Sequence, residues 1–387
     1  MKLNFSFGEE WKNLKKFERL SIEDKSIVFY AENIASINHF HNLIKKLTEG
    51  KNLDVCYVTS EKKDPLLNEK NKKIKTFYIG DGVARTKFFS TLKAKILIMD
   101  MPDLETFHIK RSKIYPVHYI YLFHSMFSIH SYLRKGAVDN YDTIFCVGKH
   151  HVSEIKESEK IYNLKPKKLV EYGFGRLDGL LEKRKQSENN ENQEKLILIT
   201  PSYGKQNLLE VCGKKLISDL IKKDFQVLLR PHFRIFQDNR QLIDSIQKEF
   251  SNESRFTLHD GIIPFEKFHN SLCLISDWSG ISFEYAFTHE KPVIFIDVPK
   301  KKNNVDLNKF STEPIEVNIR KQIGEVVLPN EVDKIPKLLE KFVADKKNYE
   351  NQIRSVCKNT VYNIGTSSEI GTKYILEKSN KNKNEGE

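Results

Sequence analysis

Short apolar runs recur along the chain, separated by stretches in which apolar positions return every three to four residues. In the first half the runs are 26–31, 53–59, 75–79, 95–99, 118–123, 143–147 and 168–172. In the second half they are 195–200, 225–229, 255–259, 272–275 and 292–297. Runs of this length bounded by amphipathic stretches predict right-handed βαβ units, and hence an α/β fold with parallel sheets. Both halves show the rhythm, so the expected architecture is two Rossmann-like domains facing each other across a cleft lined by strand C-termini. Residues 182–194 contain no apolar residue and read as the linker between domains at 1–181 and 195–378. The second domain is expected to close with helices over 332–343 and 346–356, and the polar residues 379–387 read as a disordered tail.

A length of 387 residues agrees with two domains rather than one core. Near the N-terminus, Trp11, Leu14, Phe17 and Leu20 recur at three-residue spacing among Lys12, Lys15, Lys16 and Arg19. Such a stripe either packs on its own domain or lies on an anionic membrane. The net charge of +12 admits polyanionic partners. A nucleic-acid binder, however, would interleave aromatic residues with a basic stripe or carry a helix-turn-helix, and neither is present in the sequence. The five cysteines are far apart and form no CxxC pair, which suits a reducing compartment and no zinc site. Residues 1–16 carry charge where a signal peptide needs an apolar core, and the run 117–129 is too short to span a bilayer. The expectation is a cytoplasmic protein, peripheral on the inner membrane face if the basic stripe binds there.

Candidate chemistry gathers where the runs end. Ser276-Asp277-Trp278-Ser279-Gly280-Ile281-Ser282-Phe283-Glu284 follows one strand-like run and opens a helix. Ser279, Gly280 and Ser282 at that entrance would leave backbone N–H groups free at a helix N-terminus, where the dipole favours an anion. Arg230-Pro231-His232 ends another run with a cation and an imidazole. Together these two ends suit a phosphate-bearing ligand. Three further strand ends carry polar residues: Phe123-His124-Ser125-Met126, Gly173-Phe174-Gly175-Arg176-Leu177-Asp178 and Thr200-Pro201-Ser202-Tyr203-Gly204-Lys205.

This ordered set resembles the CDP-glycerol glycerophosphotransferase family of teichoic-acid-like and capsular polymer synthesis. Phe123-His124-Ser125-Met126 stands where the family has a Trp-His-Gly-Thr-like turn, and Gly173–Asp178 is similar to its Gly-x-Pro-Arg-x-Asp segment with Gly175 for the proline. Thr200-Pro201-Ser202-Tyr203 resembles a Thr-Pro-Thr-Trp-like loop. Arg230-Pro231-His232 resembles Arg-x-His-Pro, and Ser276–Gly280 resembles Ser-Asp-Tyr-Ser-Ser. The resemblance implies the GT-B arrangement and transfer of a glycerol-phosphate or related polyol-phosphate unit from a CDP-activated donor. The acceptor would be a surface polymer or lipid-linked molecule, and CMP would be released.

In that reaction His124 is the expected general base on the acceptor side and His232 serves the leaving group. Donor contacts are expected from Ser202, Tyr203, Lys205, Arg230, Ser276, Asp277, Ser279, Gly280 and Glu284. Arg230 would hold two phosphate oxygens with its planar fork. Asp277 could also orient a histidine or cap the following helix, and Glu284 either meets the ribose or simply starts a helical turn. Arg176 and Asp178 are expected to fix the interdomain loop by an ion pair. No Asp-x-Asp pair stands at a strand end, so the expectation is no bound metal and no cofactor beyond the CDP-linked substrate. The alternative is a GT-B glycosyltransferase that uses a nucleotide sugar for cell-surface polysaccharide.

Overall fold

The computed structural model describes residues 8–187, 195–300 and 304–384. The first sheet contains β1 (Ile27–Ala31), β2 (Val55–Thr59), β3 (Ile74–Tyr78), β4 (Ile96–Met99), β5 (His118–Leu122), β6 (Thr143–Cys146) and β7 (Lys168–Glu171), in the order β3-β2-β1-β4-β5-β6-β7. The second contains β8 (Leu196–Thr200), β9 (Gln226–Leu229), β10 (Phe256–Leu258), β11 (Cys273–Ser276), β12 (Val293–Ile296) and β13 (Gly324–Val327), in the order β10-β9-β8-β11-β12-β13. Every pairing is parallel. Each of the twelve apolar runs is a strand. All residues of β1, β2, β4, β8, β11 and β12 are buried, as expected of parallel strands covered by helices on both faces.

The strand order fixes where a ligand can sit. In the first sheet the order reverses between β1 and β4, and in the second between β8 and β11. Crossover connections leave those two pairs in opposite directions, so a crevice opens beyond their carboxyl ends. The segments leaving these four strands begin Glu32-Asn33, Asp100-Met101, Pro201-Ser202-Tyr203 and Asp277-Trp278-Ser279.

Three features depart from the sequence reading. The helix Gly175–Ser187 runs through the first six residues read as linker, and residues 188–194 lie outside the described ones. That polar stretch is helical because Leu177 is buried at its start. Farther along the helix, Arg184 donates to the Thr288 carbonyl (3.1 Å) and to Glu290 (3.0 Å). The helix Ser367–Asn384 likewise extends through residues 379–384 of the expected tail, of which 385–387 lie outside the description. This helix also belongs with the first sheet rather than the second: Ile375 is buried with Phe29, Phe40 and Tyr172.

The chain crosses back over 360–367. The Tyr362 N–H donates to the Val147 carbonyl (2.8 Å), and the Asp178 carboxylate accepts from the N–H groups of Gly365 (2.7 Å) and Ser367 (3.0 Å). At the crossing, a Cβ on Gly148 would lie 1.9 Å from the Thr360 carbonyl oxygen. Gly148→Ala is therefore expected to destabilise the protein by roughly 3 kcal/mol, at the upper end of ordinary overpacking, because backbone cannot give way as a side chain can. Thermal unfolding of the variant checks this, and an unchanged Tm would contradict it.

The N-terminal stripe is used internally. Leu14 and Phe17 are buried, with the Phe17 ring 5.4 Å from Phe77 and 5.3 Å from Phe88, and Trp11 and Leu20 lean on the same core. Packing on its own domain is the outcome, and Lys12, Lys15, Lys16 and Arg19 are left exposed without an apolar face beside them. Among the described residues no helix is long and apolar enough to cross a membrane.

Candidate active site

Both reversal points open into one cavity of about 730 Å³ between the sheets. From the first domain it is lined by His39, Asp100, His124, Ser125, Tyr132 and Arg176, among others. From the second it is lined by Ser202, Tyr203, His232, Trp278, Ser279, Gly280, Glu284, Lys300 and Glu316. The two histidines named from sequence thus share one chamber although they come from different domains.

His124 follows β5. Its Nδ1 lies 3.1 Å from the Asp100 carbonyl, which can only accept, so Nδ1 carries the hydrogen and Nε2 the lone pair. Burial holds the ring below the ordinary histidine range, so it is neutral at pH 7. His232 precedes the helix Phe233–Asp238, where its Nδ1 accepts from the Arg234 N–H (3.2 Å). With Nδ1 accepting, the ring hydrogen is on Nε2. The pair is therefore complementary, one ring presenting a lone pair and the other an N–H. Tyr203 packs against His232 with ring centroids 4.7 Å apart.

The small-residue turn sits close to the first domain. A Cβ on Gly280 would lie 3.3 Å from Ser125 Oγ, so the turn and the His124 loop nearly touch. Here the helix Ile281–His289 begins, with the Ser282 and Phe283 N–H groups bonded back to the Ser279 and Gly280 carbonyls. The N–H groups of Gly280 and Ile281 precede these at the positive end of the helix dipole. Trp278 anchors the turn by donating from Nε1 to the Val298 carbonyl (2.8 Å), and Arg320 stacks 3.7 Å from its ring.

Other named residues have different roles from those expected. The Asp277 carboxylate accepts from the N–H groups of Ser202 (2.7 Å) and Leu208 (3.2 Å), fixing the loop after β8. Ser276 is fully buried and donates to the Thr200 carbonyl (2.7 Å), so it braces the strand ends rather than lining the cavity. Lys205 is exposed and off the cavity wall, because Gly204 turns the loop outward in the left-handed region (φ 108°). Arg230 also stands behind the wall, donating to the Gly261 carbonyl (3.3 Å). Burial, and then the nearby Arg176, lower its pKa, while Glu284 opposes them. Arg176 does form an interdomain ion pair, but with Glu284 (2.8 Å) rather than Asp178. Asp178 instead accepts hydrogen bonds at the start of the last helix. Glu284 lines the cavity already engaged, so any ribose would have to share it with Arg176.

The sequence reading missed His39, Asp100, Lys300 and Glu316. Asp100 ends β4 at the reversal point, is 7% exposed, and accepts from Ser36 Oγ (3.0 Å). Burial pushes its carboxyl up to about 7. Its place after a four-residue apolar strand was the available signal. Glu316 reaches across from the second domain and accepts from the Ser128 N–H (3.1 Å), and burial raises its pKa. No sequence pattern marked it. Among the described residues no group of three or more His, Cys, Asp or Glu side chains could hold a metal ion.

Comparison with known proteins places the chain. A family model described as CDP-glycerol:poly(glycerophosphate) glycerophosphotransferase matches residues 13–362. No curated protein matches in sequence. Among solved structures, the wall teichoic acid polymerase TagF is similar at TM-score 0.59 and 14% identity, over 96% of this chain and 94% of that one. A UDP-GlcNAc 2-epimerase from Methanocaldococcus jannaschii is similar at TM-score 0.59 and 13% identity, covering 90% of this chain and 99% of that one. Another from Neisseria meningitidis is similar at TM-score 0.58 and 14% identity, with the same coverage. At these identities the likeness is one of fold, the two-domain GT-B arrangement.

Proposed function

The chain is a transferase belonging to the CDP-glycerol:poly(glycerophosphate) glycerophosphotransferase family, and from that membership we propose that its interdomain cavity moves glycerol phosphate from CDP-glycerol onto a hydroxyl-ended polymer, releasing CMP. The supporting observation is that two imidazole rings of opposite hydrogen-bonding sense line the same chamber as a helix N-terminus. The β-phosphorus is then placed between them. An acceptor hydroxyl gives its proton to His124 Nε2 as its oxygen bonds to that phosphorus. The bond to the bridging oxygen breaks and its electron pair leaves with CMP.

Negative charge grows on that bridging oxygen and spreads over the phosphoryl oxygens. His232 Nε2–H, the Gly280 and Ile281 N–H groups and Ser279 Oγ stabilise it as preorganised donors. Lys300 on the wall, with Arg230 behind it, supplies positive field for a pyrophosphate. Ser202 and Tyr203 line the nucleotide side, and the donor needs no protein-chelated ion in this scheme.

The test is nucleotide release. Purified protein with CDP-glycerol and a glycerol-phosphate oligomer is expected to liberate CMP and lengthen the oligomer by whole units. Release of UDP from a UDP-sugar, with CDP-glycerol untouched, would instead make the protein a glycosyltransferase.

A further inference from the structure

The first-domain wall of the cavity carries groups that the transfer step does not use. Asp100 and His39 line it, each only 7% exposed, and the His39 ring lies 6.3 Å from that of His124. The His39 Nδ1 is buried without a hydrogen-bond partner in the protein, and burial keeps that ring neutral. Asp100 is tied to the base through its backbone, since its carbonyl accepts from His124 Nδ1, while Ser36 Oγ fixes its carboxylate at Oδ1. A carboxylate offers about four lone-pair sites, so one bond to Ser36 leaves acceptor capacity for a ligand. Glu32 stands on the same wall. The wall's one Lys or Arg, Arg176, is engaged with Glu284. Once ionised, the two acids repel phosphate, and beside an uncharged imidazole they suit neutral hydroxyl groups.

Resting on the reaction proposed above, we infer that Asp100 and His39 form the subsite for the terminal polyol of the acceptor. The Asp100 carboxylate accepts from the hydroxyl adjacent to the attacking one and so aligns the attacking oxygen with His124. The acceptor is thus selected by a vicinal diol at its end. A buried carboxylate left facing an analogue without the second hydroxyl loses a charge-assisted hydrogen bond, which is worth about 10- to 100-fold in rate.

The experiment compares two acceptors with CDP-glycerol as donor. One is a glycerol-phosphate oligomer, and the other is the same oligomer with propane-1,3-diol phosphate as its last unit. Wild-type protein is expected to favour the first by about 10- to 100-fold in acceptor kcat/KM. In Asp100→Asn that preference should fall to about threefold or less, because an amide that must also serve Ser36 is a weaker acceptor than a carboxylate. Equal use of both acceptors by the wild type overturns the inference whether or not the variant folds. An Asp100→Asn protein that keeps the full preference overturns it too. So does one that is folded but inactive toward both acceptors, since Asp100 would then serve the reacting groups themselves. If the wild type releases no CMP from CDP-glycerol with either acceptor, the reaction assignment fails, and this subsite with it.

Discussion

Replacing His124 with alanine is expected to lower CMP release from CDP-glycerol by about 100- to 10,000-fold while the protein stays folded. The expectation follows from tautomer and burial together. The Asp100 carbonyl holds the hydrogen on Nδ1, and burial disfavours the imidazolium, so Nε2 is an available base throughout the neutral range. His232 has its Nδ1 engaged by the Arg234 N–H, and Glu316 is held by the Ser128 N–H, so neither offers the same free basic nitrogen. The loss should fall on kcat, because the proton moves in the transition state and not on binding. Donor KM should change little. Turnover within a few-fold of wild type would remove His124 from the reaction, and a double variant with His232→Ala no slower than either single variant would show the two rings acting as a unit. The ring lines the cavity wall rather than the packed core, so truncation should leave the fold intact, and circular dichroism with thermal unfolding checks that it does.

How much of this site could be read in advance differs from strand to strand. Nine of the twelve apolar runs announced strands because parallel strands buried on both faces must be largely apolar, and the edge strands β3, β7 and β10 followed from the same rhythm. β13 escaped because Gly324 and Glu325 leave only two consecutive apolar residues, Val326 and Val327, in the strand. That the turn at Ser279-Gly280 and the two histidines would meet at one cavity was legible because polar and small residues directly after a buried strand have few structural uses. Asp100 satisfied the same condition and was passed over. What singles it out is the neighbour relation of β4 to β1, and strand order is not written in any local pattern. The errors over Lys205 and Arg230 have the opposite origin. Each does follow a strand end, but a turn or a carbonyl partner directs the side chain away from the cavity. The helix Ser367–Asn384 returns to the first sheet through Asp178, a contact between segments 187 residues apart that no composition reveals.

Asp100→Asn is also expected to make the protein more stable than wild type above pH 7. An aspartate ordinarily titrates near 3.8, and burial, with Glu32 nearby, raises Asp100 to about 7 in the folded state, while Ser36 works against the rise. His39 and His124 beside it are neutral and offer it no positive charge. The folded protein therefore holds a proton that the unfolded chain releases. By linkage, stability is undiminished below pH 4 and declines as pH rises toward 7. The decline amounts to something on the order of 4 kcal/mol at pH 8. Asparagine cannot ionise, and its amide oxygen can still accept from Ser36 Oγ, so the variant escapes this decline. Glu154, raised by burial to about 8, and the buried Glu316 act alike in both proteins, so the difference between the two isolates Asp100. The measured quantity is Tm of variant minus wild type across pH 5 to 8. It should grow by about 5 °C up to pH 7 and then level off. A difference that does not change with pH, or a variant less stable than wild type at pH 8, would mean that Asp100 is compensated by a partner in the fold. A carboxylate kept where it destabilises the fold, at the one point where β4 opens onto the cavity, is explained by what it binds.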